Sequence, residues 1–165
     1  MPDKEAKTYL DGTKWMVEYH EKKQDVVVEV GDNKQSVRIF NCKETVVTIK
    51  GKCSSVSVVN CVKSAVIFDD VIATVEVTNC KSQQLQANGA VPNITIDGTQ
   101  GTTLYLQSEL GKETEIVTSN SVEVNVVTPG KTENDDPAEH PIPSQFISKF
   151  EGGKLVTKAV EHVGV

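Results

Sequence analysis

Apolar residues recur along this chain with a 19-residue period. Three heptapeptides follow one another on this period and share the pattern Ser/Thr-Val-x-Val/Ile-x-Asn-Cys: Ser36–Cys42, Ser55–Cys61 and Thr74–Cys80. A degenerate fourth copy, Asn93–Thr99, follows on the same step. Within each copy the apolar residues alternate with other residues and are often β-branched, which is typical of β-strands. The period therefore predicts a repeat architecture built from strands.

Three apolar columns support the same period. They are Val28, Val47, Val66, Leu85 and Leu104; Val30, Ile49, Phe68, Ala87 and Leu106; and Cys53, Ile72, Val91 and Leu110. A repeat this short, which already holds two or three such strands, leaves no room for a helix as well. We therefore predict an all-β fold, a parallel β-helix of about six coils. Equivalent residues of successive coils should stack about 4.8 Å apart.

Asparagines mark the predicted corners of the coils. Asn41, Asn60 and Asn79 each stand at the end of a strand, where the chain must turn. Asparagine tolerates the left-handed backbone conformation that a tight corner needs. Gly98 occupies the same place in the fourth copy, which is consistent with a corner there.

The repeat divides the chain into four parts. Residues 1–14 form an N-terminal extension, residues 15–128 the parallel β-helix, residues 129–141 a polar, acidic linker and residues 142–165 a C-terminal tail. The register slips near the end of the β-helix, since Val122, Val124 and Val126 stand one residue out of column. In the tail, two apolar segments flank Gly152-Gly153, which predicts a β-hairpin. Because an open solenoid end exposes unpaired strand edges, we expect this hairpin to cap its own chain or to be exchanged with a second copy in a two-fold dimer.

Charge and composition argue against several classes of function. The chain has 17 basic and 23 acidic residues, a formal charge of -6, and Arg38 as its single arginine. This argues against nucleic-acid binding, for which clustered arginine and lysine supply most of the affinity. No apolar run approaches the roughly 20 residues needed to span a bilayer, and the first residues lack the features of a signal peptide. We expect a cytoplasmic protein without a membrane span, whose four cysteines are reduced thiols.

Residues that carry chemistry are sparse. The corner cysteines should stack about 4.8 Å per coil, so that the first and third lie about 10 Å apart, too far to share one zinc ion. The three histidines have no metal-binding spacing, and no glycine-rich nucleotide motif occurs. Asp69-Asp70 is the only candidate carboxylate pair, and we expect an ion pair with Lys50, one coil below, to account for Asp69. The sequence therefore predicts no catalytic residue, no metal and no cofactor.

The outward columns favour a protein partner. Lys50, Asp69, Asn88 and Gln107 should share one column, and Lys43, Val62, Lys81 and Gln100 another, with Lys52 and Lys63 nearby. A flat, rigid β-face of mixed charge suits a large protein partner. A solvated face gives the same pattern for any single residue.

Several of these motifs together resemble a known family. They are Ile49-Lys-Gly-Lys52, Asn60-Cys61, Phe68-Asp-Asp-Val71, Val91-Pro92, Pro141-Ile-Pro-Ser-Gln-Phe146 and Gly153-Lys-Leu-Val-Thr157. The chain resembles the C-terminal domain of the cyclase-associated proteins from about Lys14 to Val163, with repeat, linker and tail in family order. The resemblance implies a right-handed parallel β-helix that dimerises by exchanging C-terminal strands. It also implies a cytoskeleton-associated protein that binds monomeric actin, prefers the ADP-bound form and promotes exchange of ADP for ATP.

The resemblance also implies site residues. The family's actin surface combines an outer β-face with the C-terminal tail. Carried over to this sequence, the actin-binding residues are Lys50, Lys52, Lys63, Asp69, Asp70, Lys154, Leu155 and Val156. The dimerisation residues are Phe146, Phe150, Leu155, Val156 and Val160.

The sequence departs from larger members of the family and leaves two alternatives open. The N-terminal helical domain, the proline-rich stretches and the WASP-homology motif of larger members do not occur, so the chain is either an excised domain or a minimal form. One alternative is a GTPase-activating β-helix like tubulin-folding cofactor C, whose arginine finger only Arg38 is available to supply. The other is a carbohydrate-active β-helix enzyme, which requires a cluster of carboxylates on one face.

Overall fold

The computed structural model describes residues 4–161 of the chain. The chain winds through two parallel sheets that enclose a core of apolar side chains. The strands are β1 (Lys7–Asp11), β2 (Lys14–Glu18), β3 (Val26–Glu29), β4 (Ser36–Phe40), β5 (Val46–Lys50), β6 (Cys53–Val59), β7 (Ala65–Phe68), β8 (Val71–Thr78), β9 (Lys81–Ala87), β10 (Asn93–Asp97), β11 (Gln100–Leu106), β12 (Glu115–Ser119), β13 (Val122–Thr128), β14 (Ala138–Ile142), β15 (Phe146–Glu151) and β16 (Lys154–Ala159). The predicted all-β parallel solenoid of about six coils, followed by a C-terminal hairpin, is confirmed.

Successive coils add one strand to each sheet in turn. Sheet A has the order β1-β2-β4-β6-β8-β10-β12, and sheet B has the order β14-β13-β11-β9-β7-β5-β3. Neighbours from successive coils are parallel, whereas β1 pairs antiparallel with β2 and β14 pairs antiparallel with β13. Each antiparallel strand covers one sheet at one end of the solenoid. At the ends that these two strands do not cover, β3 is the terminal strand of sheet B and β12 is the terminal strand of sheet A.

The period seen in the sequence holds only in the middle of the solenoid. There Val47 pairs with Val66, as the period predicts. In the first coil Val28 pairs with Ile49 and not with Val47, so the predicted columns that placed Val28 with Val47 and Val30 with Ile49 are wrong. Two extra residues in the turn at 31–35, between β3 and β4, account for the difference.

The last coil is also longer. Leu104 pairs with Val126, whereas the period would pair it with Glu123, because a short 3-10 helix at Glu109–Glu113 enlarges the turn before β12. Val124 and Val126 keep their place in the core, while Val122 lies at a corner and is 42% exposed. The register slip seen in the sequence is therefore an insertion, and the stack of coils continues through it.

The third predicted column, Cys53, Ile72, Val91 and Leu110, is correct for two of its four residues and wrong for the other two. Cys53 pairs with Val71 because the register between β6 and β8 shifts just after Cys53. Cys53, Val71 and Val91 are buried, whereas Ile72 is 47% exposed and Leu110 is 52% exposed. Two large aliphatic side chains that the period assigned to the core therefore lie on the surface.

The asparagine corners are confirmed. Asn41, Asn60 and Asn79 have φ angles of 53°, 54° and 52°, and Gly98 has a φ of 60°. A second series of left-handed corners, which sequence reasoning missed, lies a few positions further along each coil at Lys22, Glu44, Lys63, Ser82, Gly101 and Glu123. Residues with a β-carbon adopt this conformation at a cost of about 1–2 kcal/mol. Hydrogen bonds between the backbones of successive coils hold them there, such as Lys63 N–H to the Lys81 carbonyl at 2.9 Å.

The two ends of the chain contain more strand than the sequence indicates. β1 lies wholly inside the segment assigned as an N-terminal extension, residues 1–14. The segment assigned as a linker, residues 129–141, contains most of β14, in which Glu139 pairs with Val127. Alternation of apolar residues is absent from both strands, because each pairs along one edge and contributes little to the core.

Candidate protein-binding surface

Lys50 and Asp69 lie on the rim of sheet B, where β5 and β7 end. Both are exposed and occupy adjacent coils. The expected ion pair between them is wrong, since Lys149–Glu151 is the ion pair found among residues 4–161. Asp69 instead accepts a hydrogen bond from the Gly51 N–H, with 3.1 Å between Oδ2 and N. The carboxylate therefore holds the turn that carries Lys50 and leaves the lysine ammonium available to a partner.

Asp70 ties the next pair of coils together. Its Oδ1 accepts a hydrogen bond from the Ala90 N–H at 2.8 Å. The turn is closely packed, since a β-carbon at Gly89 would collide with the backbone of Asp70. Both members of the aspartate pair are thus fixed by backbone donors of neighbouring coils, which suits a positioned surface better than acid–base catalysis.

A cleft of about 670 Å³ lies beside this rim. Lys52 and Asp70 line it together with Pro92, and so do the two exposed aliphatic side chains Ile72 and Leu110. Four of the predicted residues, Lys50, Lys52, Asp69 and Asp70, thus share one edge of the solenoid. The apolar part of the cleft was missed because the sequence period assigned Ile72 and Leu110 to the core.

Lys63 lies at the opposite rim of sheet B. It occupies the left-handed corner before β7, whereas Asp69 follows the end of the same strand. The extended chain between the two positions separates them by roughly 20 Å. Lys63 is therefore on the same face as the other four solenoid residues but on its far side.

Between the two rims, the outward-facing residues of the four central strands of sheet B carry no charge. The outward-facing residues of β5, β7, β9 and β11 are Val46, Thr48, Ala65, Ile67, Gln84, Gln86, Thr103 and Tyr105. Charged residues make up 24% of the chain, and Lys50, Asp69 and Lys63 lie on the rims of this face. A centre depleted of charge with a polar rim is the anatomy of a protein–protein interface. We refer to this surface as the sheet B face.

The C-terminal hairpin forms a separate two-stranded sheet. Phe150 pairs with Leu155 and Phe146 with Ala159. These residues, with Ser148 and Thr157, make one uncharged face of the hairpin, on which the two hydroxyls are 2.9 Å apart. Phe150 is 76% exposed, and Phe146 and Leu155 are each 59% exposed. A two-stranded hairpin with an exposed apolar face is marginally stable by itself, so this face needs a partner surface.

The other face of the hairpin is mixed in character. Lys149, Glu151, Lys154 and Lys158 lie there with Ile147 and Val156. Val160 follows β16, and its N–H donates to the Gln145 carbonyl at 2.8 Å, which closes the open end of the hairpin. Of the predicted tail residues, Leu155 lies on the uncharged face, whereas Lys154 and Val156 lie on the mixed face.

The corner cysteines form a buried stack. Cys42, Cys61 and Cys80 are free thiols with at most 1% exposure. Each thiol donates to the carbonyl two residues before it, as from Cys80 Sγ to Thr78 O at 3.4 Å. Hydrogen bonds with Cys42 and Cys80 and burial raise the pKa of Cys61. Among residues 4–161 no group of three or more histidine, cysteine, aspartate or glutamate side chains is arranged to hold a metal ion.

Arg38 is engaged in packing. It lies on the outer face of sheet A, half-buried, with its guanidinium carbon 5.1 Å from the centroid of the Phe40 ring. A stacked, partly buried guanidinium is poorly placed to reach into the nucleotide site of another protein. This contact argues against the alternative of an arginine-finger GTPase activator.

No helix among the described residues is long and apolar enough to cross a membrane.

Comparison with known proteins assigns the chain to a family. The family model described as adenylate cyclase associated (CAP) C terminal matches residues 4–162. The chain is 40% identical over 162 residues to the adenylyl cyclase-associated protein of Dictyostelium discoideum, covering 98% of this chain and 35% of that protein. It is 45% identical over 152 residues to adenylyl cyclase-associated protein 2 of Mus musculus, covering 92% and 31%. The chain thus spans about a third of the length of these relatives.

A solved structure agrees with this assignment. The chain matches the crystal structure of cyclase-associated protein from Cryptosporidium parvum with a TM-score of 0.86 and 30% identity, over 95% of this chain and 96% of that one. The likeness extends over both the solenoid and the tail. The resemblance inferred from the sequence motifs is confirmed, and it supports the interpretation of the chain as a non-enzymatic protein. The chain belongs to the adenylyl cyclase-associated protein family, in which it corresponds to the C-terminal domain.

Proposed function

We propose that this chain binds monomeric actin, prefers the ADP-bound form and promotes exchange of ADP for ATP. The observation that carries the proposal is the match to the CAP C-terminal family over residues 4–162. The protein acts in the cytoplasm in association with the cytoskeleton. Within the chain, the sheet B face supplies the contact surface, with Lys50, Asp69 and Lys63 on its rims.

The architecture of the sheet B face supports a large, flat partner. Its uncharged centre, with Ile67 and Tyr105, is desolvated on contact at little cost because it contains no charge to strip of water. The rim charges set orientation and association rate more than affinity. Because Asp69 and Asp70 are already hydrogen-bonded to Gly51 and Ala90, the rim is ordered before the partner arrives.

The proposed mechanism is differential binding. A ligand shifts a conformational equilibrium only by its difference in affinity for the two states. If the chain binds the ADP-bound conformation of actin more tightly, and most tightly the state in which the nucleotide cleft is open, it accelerates release of ADP. A rigid solenoid suits this task because stacked coils do not adapt to the less favoured conformation.

The chain acts as a dimer through its tail. A groove of about 850 Å³ at the end of the solenoid is lined by apolar residues that include Leu106, Ile116, Val126 and Ile142. The uncharged face of the hairpin, with Phe146, Phe150 and Leu155, matches this groove in chemistry. We propose that the hairpins of two chains exchange, so that each covers the groove of the other, and that Val156 and Val160 pack at the edges of this contact. Lys154, on the mixed face, then remains accessible to actin.

Binding to actin tests the proposal directly. Affinity is measured for ADP-actin and ATP-actin, together with uptake of fluorescent ATP by ADP-actin. We expect tighter binding to ADP-actin and faster uptake. Equal affinity for both forms with an unchanged exchange rate would contradict the proposed function.

A charge-matched pair of variants tests the rim. Lys50→Ala/Lys52→Ala should weaken actin binding roughly tenfold or more. Lys14→Ala/Lys34→Ala, which removes two exposed lysines outside the sheet B face, should bind like the parent chain. Equal effects of the two pairs would show that Lys50 and Lys52 lie outside the contact surface, and would not contradict actin binding itself.

A further inference from the structure

A second polar cavity lies at the asparagine corner near the N-terminal end of the solenoid. It has a volume of about 610 Å³ and is lined by Lys4, Ala6, Tyr19, Glu21, Lys23, Asn41, Lys43 and Asn60. We call it the corner cavity. Three lysines and one carboxylate face it, in a chain whose formal charge is -6. Ligand pockets commonly have volumes of about 300–1,000 Å³.

The lysines of the corner cavity come from different parts of the chain and are brought together by the coil register. Lys23 lies in the first coil and Lys43 in the second, where Lys43 N–H donates to the His20 carbonyl at 2.9 Å. Lys4 reaches the cavity from the segment before β1. None of the three takes part in an ion pair among residues 4–161, although Lys43 pairs along the backbone with Glu21. Glu21 offsets one positive charge, so the cavity retains an excess of two.

Aromatic packing holds one side of the cavity in place. The Lys4 ammonium lies 5.2 Å from the centroid of the Tyr19 ring, and that ring meets Phe40 edge to face at 5.6 Å. The Lys4 ammonium lowers the pKa of the Tyr19 phenol.

The asparagines supply neutral donors. Asn41 and Asn60 turn the chain at adjacent coils, and their backbone N–H groups donate along the axis to Val59 and Thr78, each at 3.0 Å. These two N–H groups are thus used by the stack and are not available to a ligand. An ammonium group suits a phosphate oxygen as a point charge, and amide N–H groups add direction.

Further lysines extend the positive potential away from the cavity. Lys63 and Lys81 follow in the third and fourth coils on the same edge, so that each of the first four coils contributes at least one lysine at intervals of about 4.8 Å. Glu18 is a further carboxylate close to Lys4. A cleft lined mainly by one sign of charge raises the local concentration of the opposite ion.

We propose that the corner cavity binds a multiply charged phosphate group, either a free polyphosphate or the phosphorylated headgroup of a lipid. A single negative charge would gain little from exposed lysines, whereas a ligand with several charges engages Lys4, Lys23 and Lys43 together. The site borders the rim of the sheet B face that carries Lys63, but the proposal does not rest on actin binding.

Titration of the chain with inorganic tripolyphosphate, followed by calorimetry and NMR, tests the site. We expect saturable binding that weakens as salt is added and chemical-shift changes at Tyr19, Asn41 and Asn60. Lys23→Ala/Lys43→Ala should weaken binding roughly 30-fold, whereas the charge-matched Lys14→Ala/Lys34→Ala should bind like the parent. Asn60→Asp, which keeps the left-handed corner, should weaken binding by adding a negative charge. It serves as the second variant if the lysine pair does not fold.

The source of the phosphate is separated by a vesicle assay. Phosphatidylcholine vesicles are compared with and without phosphatidylinositol bisphosphate, in the presence and absence of tripolyphosphate. Binding to the bisphosphate vesicles that tripolyphosphate displaces assigns the site to a headgroup, and binding to tripolyphosphate alone assigns it to a free ligand. Absence of tripolyphosphate binding, or equal loss in the two lysine pairs, would overturn the proposal.

Discussion

Truncation of Phe150 tests the proposed exchange of the hairpin most directly. Phe150 is 76% exposed and pairs across the hairpin with Leu155. In an isolated chain the substitution Phe150→Ala removes a side chain that contacts mostly water, so the stability of the solenoid should hardly change. In a dimer that buries this face, the same substitution removes a central apolar contact.

The size of the effect follows from burial and symmetry. Full burial of a phenylalanine side chain contributes about 1.5–3 kcal/mol. In a two-fold interface each substitution occurs twice, so the dimer should lose about 3–6 kcal/mol. The dissociation constant of the dimer should then rise by about two to four powers of ten.

Sedimentation over a dilution series measures this constant. Circular dichroism checks that the variant remains folded. Ile72→Ala serves as the control, because Ile72 is 47% exposed but lies on the flank of the solenoid, and its dimer constant should not change. A parent chain that is monomeric at every concentration, or a Phe150→Ala chain that dimerises as tightly as the parent, would refute the reasoning.

Four further predictions concern stability, each checked by urea unfolding. Phe68→Ala should cost about 3–5 kcal/mol because Phe68 is fully buried in the stack, whereas a loss below about 1 kcal/mol would contradict tight packing there. Gly89→Ala should destabilise by about 1–3 kcal/mol because its β-carbon would collide with Asp70, and a neutral result would show that the turn is loose. Glu44→Gly, at a φ of 47°, should stabilise by up to about 1 kcal/mol, and a destabilisation would show that the Glu44 side chain contributes more than the strain costs. Burial raises the pKa of Cys53 from 9.0 to about 11. The contribution of the protonated Cys53 thiol to the free energy of unfolding is therefore complete below pH 9 and declines as pH rises toward 11. Cys53→Ala should lessen that decline relative to the parent.

The central coils could be read from the sequence because there the period and the register agree. Val47 and Val66 are neighbours in both, and Asn41 and Asn60 turn as their residue type suggests. A column of identical spacing becomes unreliable once a turn gains residues, as it does beside Val28. A register shift within a sheet leaves no trace in composition, so Ile72 was assigned to the wrong side of the chain.

The candidate sites were predicted less completely than the fold. The sequence placed Lys50 and Asp69 in adjacent coils. It did not predict the hydrogen bond from the Gly51 N–H to Asp69, because a residue pattern does not reveal a backbone donor. β14 was missed since an edge strand with one covered side needs no apolar alternation. The corner cavity depends on Lys4 reaching Tyr19, a contact between segments that no periodicity links.

The coverage of the two sheets at opposite ends bears on how the length of this molecule can change. β1 closes sheet A at one end and β14 closes sheet B at the other. Extra coils cannot be appended outside these strands without losing one of them, but the interior has no such restriction. Duplication of residues 55–73, one complete coil, should leave both closing strands intact and lengthen the axis by about 4.8 Å. The solenoid can thus be lengthened from its middle, and each added coil increases the distance between the corner cavity and the C-terminal hairpin by this step.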